Sequence, residues 1–347
     1  MPVSLHTKSF EQWLTRALQE NRYLGGSSIL TVADAKLSQW LKDWPYPLMF
    51  VEASEDAKSL PTVERIYRFL DANHATRSSV LVCVGGGMIT DTGGFAAATY
   101  KRGMRCIYVP TTLLSMVDAA HGGTVGVNFN GVKNEIGLFH EPDQVFICPS
   151  LLQSLPMRER LSGYAEMLKH ALIADKMEWI TLLRFLDSDG LSSLDTPLNE
   201  LVERSYAIKR AICLEDPLDH DRRQALNFGH TVGHALEALS FRRDHPLPHG
   251  FAVMQGMVAA LYLSVKRLGC PSEVLRQAGH TMVEHYGRAV CPCKEQDELL
   301  RLMYSDKKNE RGDTIHFTLL RDIGQPVTRQ AVPEEEIREA LEYLFSL

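Results

Sequence analysis

Two histidines four residues apart offer the clearest chemistry in this sequence. They lie in Asn227-Phe-Gly-His230-Thr-Val-Gly-His234-Ala-Leu-Glu237, and residues at i and i+4 share one face of a helix. The spacing suits a metal ion. No Glu follows His230, so the HExxH arrangement of zinc proteases is excluded. Gly229, Gly233 and Ala235 flank the pair, as a close backbone approach requires, and His249-Gly250 follows after a Pro-rich loop. The candidate carboxylate is Glu166, in Gly163-Tyr-Ala-Glu166-Met-Leu-Lys169-His170. Glu166 and Lys169 fall on one helix face. Alone, that pair reads as a surface salt bridge, but Ala165, Met167, Leu168, Ala171 and Leu172 around it argue for partial burial. Glu166, His230 and His249 together would give a divalent metal one oxygen and two nitrogen ligands, with positions left open for a substrate.

A second chemical segment is Val84-Gly85-Gly86-Gly87-Met-Ile-Thr-Asp91, followed by Gly93-Gly94. A buried apolar run ends in three glycines and feeds a helix. Glycines let a phosphate approach the backbone, and a helix N-terminus offers N–H groups to it. The segment is not GxGxxG, and a plain tight turn accounts for it equally well. Arg102, Lys133, Arg223, Lys307 and Lys308 stand beside these segments. Each alone is an ordinary solvated cation; as a set they suit an anionic substrate.

The elements that must position these groups change character along the chain. Runs at Ser27–Val32, Pro47–Val51, Ser79–Val84, Arg105–Val109 and Gln144–Cys148 read as strands, with a helix at Pro61–Leu70. Apolar strands alternating with helices imply a parallel sheet covered on both faces. After Pro149, helical spacing dominates at Leu151–Ala174, Asn199–Leu214, Gln224–Leu239, Phe251–Leu268 and Glu334–Phe345, and only Thr314–Leu320 looks like a strand. The expectation is an α/β chain: a parallel-sheet domain over residues 1–150, then a mostly α-helical domain over residues 151–347. With 347 residues, 45% of them hydrophobic, the chain can bury sizeable cores. Its net charge of −6, without a basic run, argues against nucleic acid and anionic lipid. No signal segment and no uninterrupted apolar run near the ~20 residues of a membrane span is read, so a cytoplasmic location is expected. The seven cysteines, including Cys291-Pro-Cys293, read as free thiols.

In order along the chain stand Gly85-Gly-Gly-Met-Ile-Thr-Asp91, Ala96-Ala-Ala-Thr-Tyr-Lys-Arg-Gly103, Val109-Pro-Thr-Thr-Leu-Leu114, Val117-Asp118, Lys133-Asn134, Gly163-Tyr-Ala-Glu166, Leu226-Asn-Phe-Gly-His-Thr-Val-Gly-His-Ala-Leu-Glu237 and Asp306-Lys-Lys308. Together they resemble the 3-dehydroquinate synthase family of sugar phosphate cyclases. The resemblance implies a Rossmann-like N-terminal domain, a helical C-terminal domain, a cleft between them, NAD, one zinc or cobalt ion, and a homodimer. It implies Glu166, His230 and His249 as metal ligands. It implies NAD contacts at Asp34, Glu55, Lys58, Gly85, Gly86, Gly87, Asp91, Thr111 and Thr112. Its substrate groups would be Arg102 (reaching into a partner's site), Asp118, Lys133, Asn134, Lys169, Lys209, Arg223, Asn227, His234 and one of Lys307 or Lys308. The implied reaction converts a seven-carbon sugar-acid phosphate, 3-deoxy-D-arabino-heptulosonate 7-phosphate, to 3-dehydroquinate and phosphate. Transient oxidation by NAD acidifies a C–H, phosphate leaves, the hydride returns, and the ring opens and recloses by an aldol step.

One position departs from the family pattern. After the Val-Asp segment the family has Gly-Gly-Lys, whereas this chain reads Asp118-Ala-Ala-His121-Gly-Gly-Thr124. A neutral hydroxyl replaces a substrate-facing cation, and His121 stands where a small or apolar residue is usual. Three alternatives therefore stay open: a sister cyclase, a metal-dependent polyol dehydrogenase that would release NADH, and a weakly active or non-catalytic relative.

Overall fold

A computed structural model describes residues 10–21, 24–130, 132–193, 196–243, 246–291, 295–304 and 314–347. The chain divides into two compact units, Met1–Leu155 and Pro156–Leu347. The first contains α1 (Phe10–Glu20), β1 (Ile29–Asp34), β2 (Leu48–Val51), α2 (Leu60–Ala72), β3 (Val80–Gly85), α3 (Gly87–Thr99), β4 (Arg105–Pro110), α4 (Leu113–Val117), β5 (Thr124–Phe129), β6 (Val132–Phe139) and β7 (Gln144–Val145). Five strands form a parallel sheet in the order β2-β1-β3-β4-β7. Every residue of β3 is buried, which is why Val80–Gly85 is apolar on both faces instead of alternating. The core joins Leu30 and Val32 of β1, Leu81 and Cys83 of β3, and Ile66 and Leu70 of α2.

Helix α3 lies unusually close to this sheet, and Gly93 and Gly94 permit it. A Cβ on Gly93 would stand 2.3 Å from Cys83 Sγ, and one on Gly94 1.9 Å from the Tyr108 hydroxyl oxygen. These two glycines serve packing; only Gly85–Gly87 sit at the turn.

Strands β5 and β6 form a separate antiparallel hairpin that the sequence reading did not include. Most of β6 is exposed, so it carries little of the apolar signal that marks a strand. Gly126 and Gly137 face each other across the pair, and a Cβ on Gly137 would meet the Val125 carbonyl oxygen at 2.6 Å.

The second unit contains α5 (Met157–Ala174), α6 (Lys176–Asp187), α7 (Gly190–Ser193), α8 (Thr196–Glu215), α9 (His230–Phe241), α10 (His249–Leu268), α11 (Ser272–Thr281), α12 (Gln296–Tyr304), β8 (Ile315–Leu320), β9 (Pro326–Val332) and α13 (Glu334–Ser346). Three expectations need correction. The helix expected from Leu151 begins at Met157, after a 3-10 turn over Pro149–Ser154; Pro156 lacks an N–H and disfavours helical backbone before it. The helix expected from Gln224 is a 3-10 turn, Arg222–Asn227, and then α9; Gly229 between them has φ +78°. The lone late strand β8 has an antiparallel partner, β9, whose polar, half-exposed residues concealed it.

Helix α10 is long and apolar enough to cross a membrane by length and composition, but 72% of its apolar window is buried within the protein, so it serves as a core helix. All six cysteines among the described residues are free thiols. Cys293 lies outside the described residues.

Candidate functional site

Backbone contacts between helices build the centre of the second unit. A Cβ on Gly250, in the first turn of α10, would sit 1.9 Å from the Ser162 carbonyl oxygen of α5. The Gly250 N–H also donates to Ser162 Oγ at 3.0 Å. A Cβ on Gly256 of α10 would be 1.9 Å from the Gly229 carbonyl oxygen, and one on Gly233 of α9 3.1 Å from the Ala252 carbonyl oxygen. Helices α5, α9 and α10 thus touch through glycine, and each brings one donor to the same point.

Those donors are Glu166, His230 and His249, whose ligand atoms all lie within 4.8 Å of one another. Glu166 Oε1 is 3.7 Å from His230 Nε2 and 3.5 Å from His249 Nε2. The His230 Nδ1–H donates to the Phe228 carbonyl at 3.2 Å, and the His249 Nδ1–H to Glu237 Oε2 at 3.2 Å. Both Nε2 atoms therefore face the carboxylate. Burial, helped by the charge of Lys169, holds His230 well below the ordinary imidazole range and so keeps it neutral. Burial also opposes charge on His249, but hydrogen bonds to Glu166 and Glu237 outweigh it and raise its pKa to about 10. The same two carboxylates would attract a cation in place of that proton. Lys169 pairs with Glu166 Oε2, and both side chains are almost fully buried. The surface salt bridge considered from spacing alone is thus a buried ion pair.

Of the other expected substrate residues of this unit, His234 stands beside the centre. The His234 ring centroid lies 5.1 Å from that of His230 and 6.0 Å from that of His249. Arg223 and Asn227 share the 3-10 turn ahead of α9. Arg223 is buried, its N–H donates to Asp216 Oδ2 at 3.1 Å, and Nη1 donates to the Pro217 carbonyl at 2.9 Å. Lys209 is buried on α8. Lys307 and Lys308 lie outside the described residues.

In the first unit, several of the expected NAD residues lie at the carboxyl ends of neighbouring strands. Asp34 ends β1, Gly85 ends β3, and Thr111 and Thr112 follow β4. The chain leaves β1 for β2 on one side, while β3 pairs on the other. Ligands of open parallel sheets bind outside the carboxyl ends of strands at such a switch point. The Thr111 N–H donates to the Gly85 carbonyl at 3.0 Å. Gly86 caps α3, and the first-turn N–H groups there have no carbonyl of their own helix to meet. A Cβ on Gly86 would lie 3.1 Å from Thr112 Cγ2, and one on Gly87 3.2 Å from Ala119 Cβ.

The hairpin β5-β6 carries further site residues to the loop after β2. Lys58, buried, pairs with Asp91. Lys133 Nζ is 3.7 Å from Glu55 Oε1. Asn128 joins these groups: its Nδ2 donates to Glu55 Oε1 at 2.7 Å, its Oδ1 accepts from the Asn134 N–H at 2.9 Å, and its own N–H donates to the Lys58 carbonyl at 2.8 Å. Asn134 adopts φ +51°. The sequence reading missed Asn128 because its partners are distant along the chain. Glu237 was missed too, although the motif containing it was in view.

Asp118 follows α4, and its carbonyl accepts from the His121 N–H at 3.1 Å. His121 is half-buried, and Thr124 is exposed at the start of β5. Arg102 is exposed at φ +66°, next to Lys101 at φ +50°. Non-glycine residues rarely hold this backbone without a functional or packing demand.

Known proteins share this fold. Among solved structures, the fold matches 2-epi-5-epi-valiolone synthase from Streptomyces hygroscopicus subsp. jinggangensis, whose structure holds NAD+ and Zn2+. The TM-score is 0.81 at 26% identity, covering 95% of each chain. A 2-deoxy-scyllo-inosose synthase matches in fold with a TM-score of 0.80 at 22% identity, covering 95% of this chain and 94% of that one. This is the two-unit architecture of sugar phosphate cyclases. Residues 48–162 match the 3-dehydroquinate synthase N-terminal family and residues 163–309 its C-terminal family. A 3-dehydroquinate synthase of Parabacteroides distasonis is 46% identical over 86% of this chain and 83% of its own length. One from Clostridium tetani is 33% identical over 95% of this chain and 89% of its own. The chain belongs to the 3-dehydroquinate synthase family.

Proposed function

We propose that the chain is a 3-dehydroquinate synthase, converting 3-deoxy-D-arabino-heptulosonate 7-phosphate to 3-dehydroquinate and phosphate within aromatic amino acid biosynthesis. The observation that carries this reading is the convergence of Glu166, His230 and His249 in a chain of this family. Two imidazole nitrogens and one carboxylate oxygen suit zinc or cobalt and leave open positions. NAD, when bound, would supply reversible hydride chemistry, and a metal held by Glu166, His230 and His249 would supply Lewis acidity toward substrate oxygens. Asp34, Gly85–Gly87, Thr111 and Thr112 would hold NAD across the carboxyl ends of the strands, with Glu55, Lys58 and Asp91 completing the site. Lys169, Lys209, Arg223, Asn227 and His234, with Asp118, Lys133 and Asn134, would bind and orient the substrate. Positioning is the greater part of the protein's task, because one reactive conformer must be held away from water. A homodimer, in which the exposed Arg102 would serve the partner's site, and a cytoplasmic location belong to the same reading.

The deciding assay combines the full chain, NAD, zinc or cobalt and the substrate. Phosphate release with no net rise in absorbance at 340 nm is expected. NADH accumulating in step with substrate consumption would mark a dehydrogenase instead. Against the sister cyclases stand the relatives' identity and the buried Arg223, which suits a substrate carboxylate. Arg223→Lys is expected to cost about 1.5–3 kcal/mol, roughly 10- to 150-fold in kcat/KM, since an ammonium cannot reproduce a bidentate guanidinium contact. Unchanged kcat/KM would remove Arg223 from the substrate site.

NAD binding has its own test. A valine at Gly86 would crowd Thr112 and fill the turn that a pyrophosphate needs. Gly86→Val is expected to weaken NAD binding by about tenfold or more, the equivalent of ~1.4 kcal/mol or above. Calorimetric titration with NAD measures this, with circular dichroism as the check that the fold is kept. Parental affinity would move NAD away from this turn.

A further inference from the structure

Glu237 belongs to none of the ligand or substrate sets above, but its carboxylate is buried in the second unit and accepts the Nδ1–H of His249 at 3.2 Å. A carboxylate can only accept there, so the proton on Nδ1 is fixed and Nε2 faces Glu166 Oε1 at 3.5 Å. The two histidines of the centre are thus backed differently. His230 donates to a neutral carbonyl, that of Phe228, and His249 donates to a charged carboxylate. The loop leading to His249 is tied to the same turn of α9. Ser240 Oγ donates to the Glu237 carbonyl and accepts the Leu247 N–H at 2.9 Å. One turn of α9 therefore sets both the approach of α10 and the orientation of its first side chain.

We propose that Glu237 is a positioning residue of the metal centre: it holds His249 with Nε2 turned toward the ion and strengthens that nitrogen as a donor. The inference rests on the metal reading of Glu166, His230 and His249. Carboxylates placed behind ligand imidazoles act this way in metal sites generally, and losing one costs about 10- to 100-fold in metal affinity. Glu237→Gln keeps the size and an acceptor but loses the charge; Glu237→Ala loses both.

The test uses the full chain stripped of metal and titrated with Co2+ against a chromophoric chelator. The dissociation constant and the visible cobalt spectrum are the readouts. Glu237→Gln is expected to bind Co2+ about 10-fold more weakly than the parent, and Glu237→Ala closer to 100-fold, with an altered cobalt spectrum in both. NAD affinity should be unchanged in both. A parent that binds one ion per chain, with a Glu237→Gln constant and spectrum indistinguishable from it, would overturn the proposal while leaving the metal reading intact. A parent that binds no ion would overturn both. If Glu237→Ala fails to fold, the isosteric Gln variant still decides. A melting temperature lowered equally with and without Co2+, at parental affinity, would mean a purely structural role and would also overturn it.

Discussion

His230→Ala is expected to fold and to bind no metal. His230 would supply one of three donors, and its ring is held between the Phe228 carbonyl and Glu166. Without it, two donors remain on α5 and α10, too few to hold zinc or cobalt against water at ordinary concentrations. Metal content measured by atomic emission should fall from about one ion per chain to background, and phosphate release should fall with it. The fold should survive, because α9 is kept in place by Gly229 and Gly233 against α10 and not by the imidazole. Removing the neutral, buried ring leaves a small space beside Lys169 and Glu166, whose ion pair remains. Equal metal content in variant and parent would remove His230 from the centre. Lost metal together with lost secondary structure would leave Glu166→Gln, which preserves the volume, as the deciding variant.

Gly250→Ala should act on the same centre through the backbone. The added carbon would lie 1.9 Å from the Ser162 carbonyl oxygen and 2.6 Å from its carbonyl carbon. Neither can rotate away, so α5 and α10 must separate, stretching the hydrogen bond from Gly250 N–H to Ser162 Oγ. Overpacking of this kind costs about 1–3 kcal/mol. For a unit of this size that is roughly 2–12 °C in melting temperature. The separation also moves Glu166 of α5 away from His249 of α10, so metal affinity should fall alongside stability. Gly269→Ala, at a site with φ +70° and no atom within 4 Å, should lower stability through backbone strain alone and leave metal affinity unchanged. A Gly250→Ala protein with parental melting temperature and metal affinity would show that the helices yield without cost.

The candidate metal donors Glu166, His230 and His249, which the structure brings within 4.8 Å of one another, drew notice in the sequence through local clues. His230 and His234 repeat at helical spacing, small residues surround them, and apolar neighbours mark Glu166 as buried. The parallel sheet was legible because buried strands are continuous apolar runs. What escaped had partners far along the chain. The Nδ2 of Asn128 meets Glu55 only once β5 has docked on the loop after β2, and Glu237 meets His249 only across the loop between α9 and α10. The hairpin itself escaped because β6 is too exposed for its pattern to announce a strand. Gly93 and Gly94 were read with the phosphate turn, but their backbone is reserved for Cys83 and Tyr108. Spacing alone made Glu166 and Lys169 a surface pair; their apolar neighbours pointed to partial burial, and in the structure the pair is almost fully buried.

The three candidate metal donors come from three separate helices, joined where glycines let backbones touch. Such a centre cannot exist in a locally structured fragment. During synthesis the cluster completes only when α10 has emerged and docked on α5 and α9, so ion capture follows long-range assembly. An ion held there would brace three helices, binding the native arrangement and not the open chain, and its free energy would appear as added stability. Amide exchange in α5, α9 and α10 should therefore slow together on metal addition, as one cooperative block, and the cell's metal supply would set how long this unit resists unfolding and proteolysis.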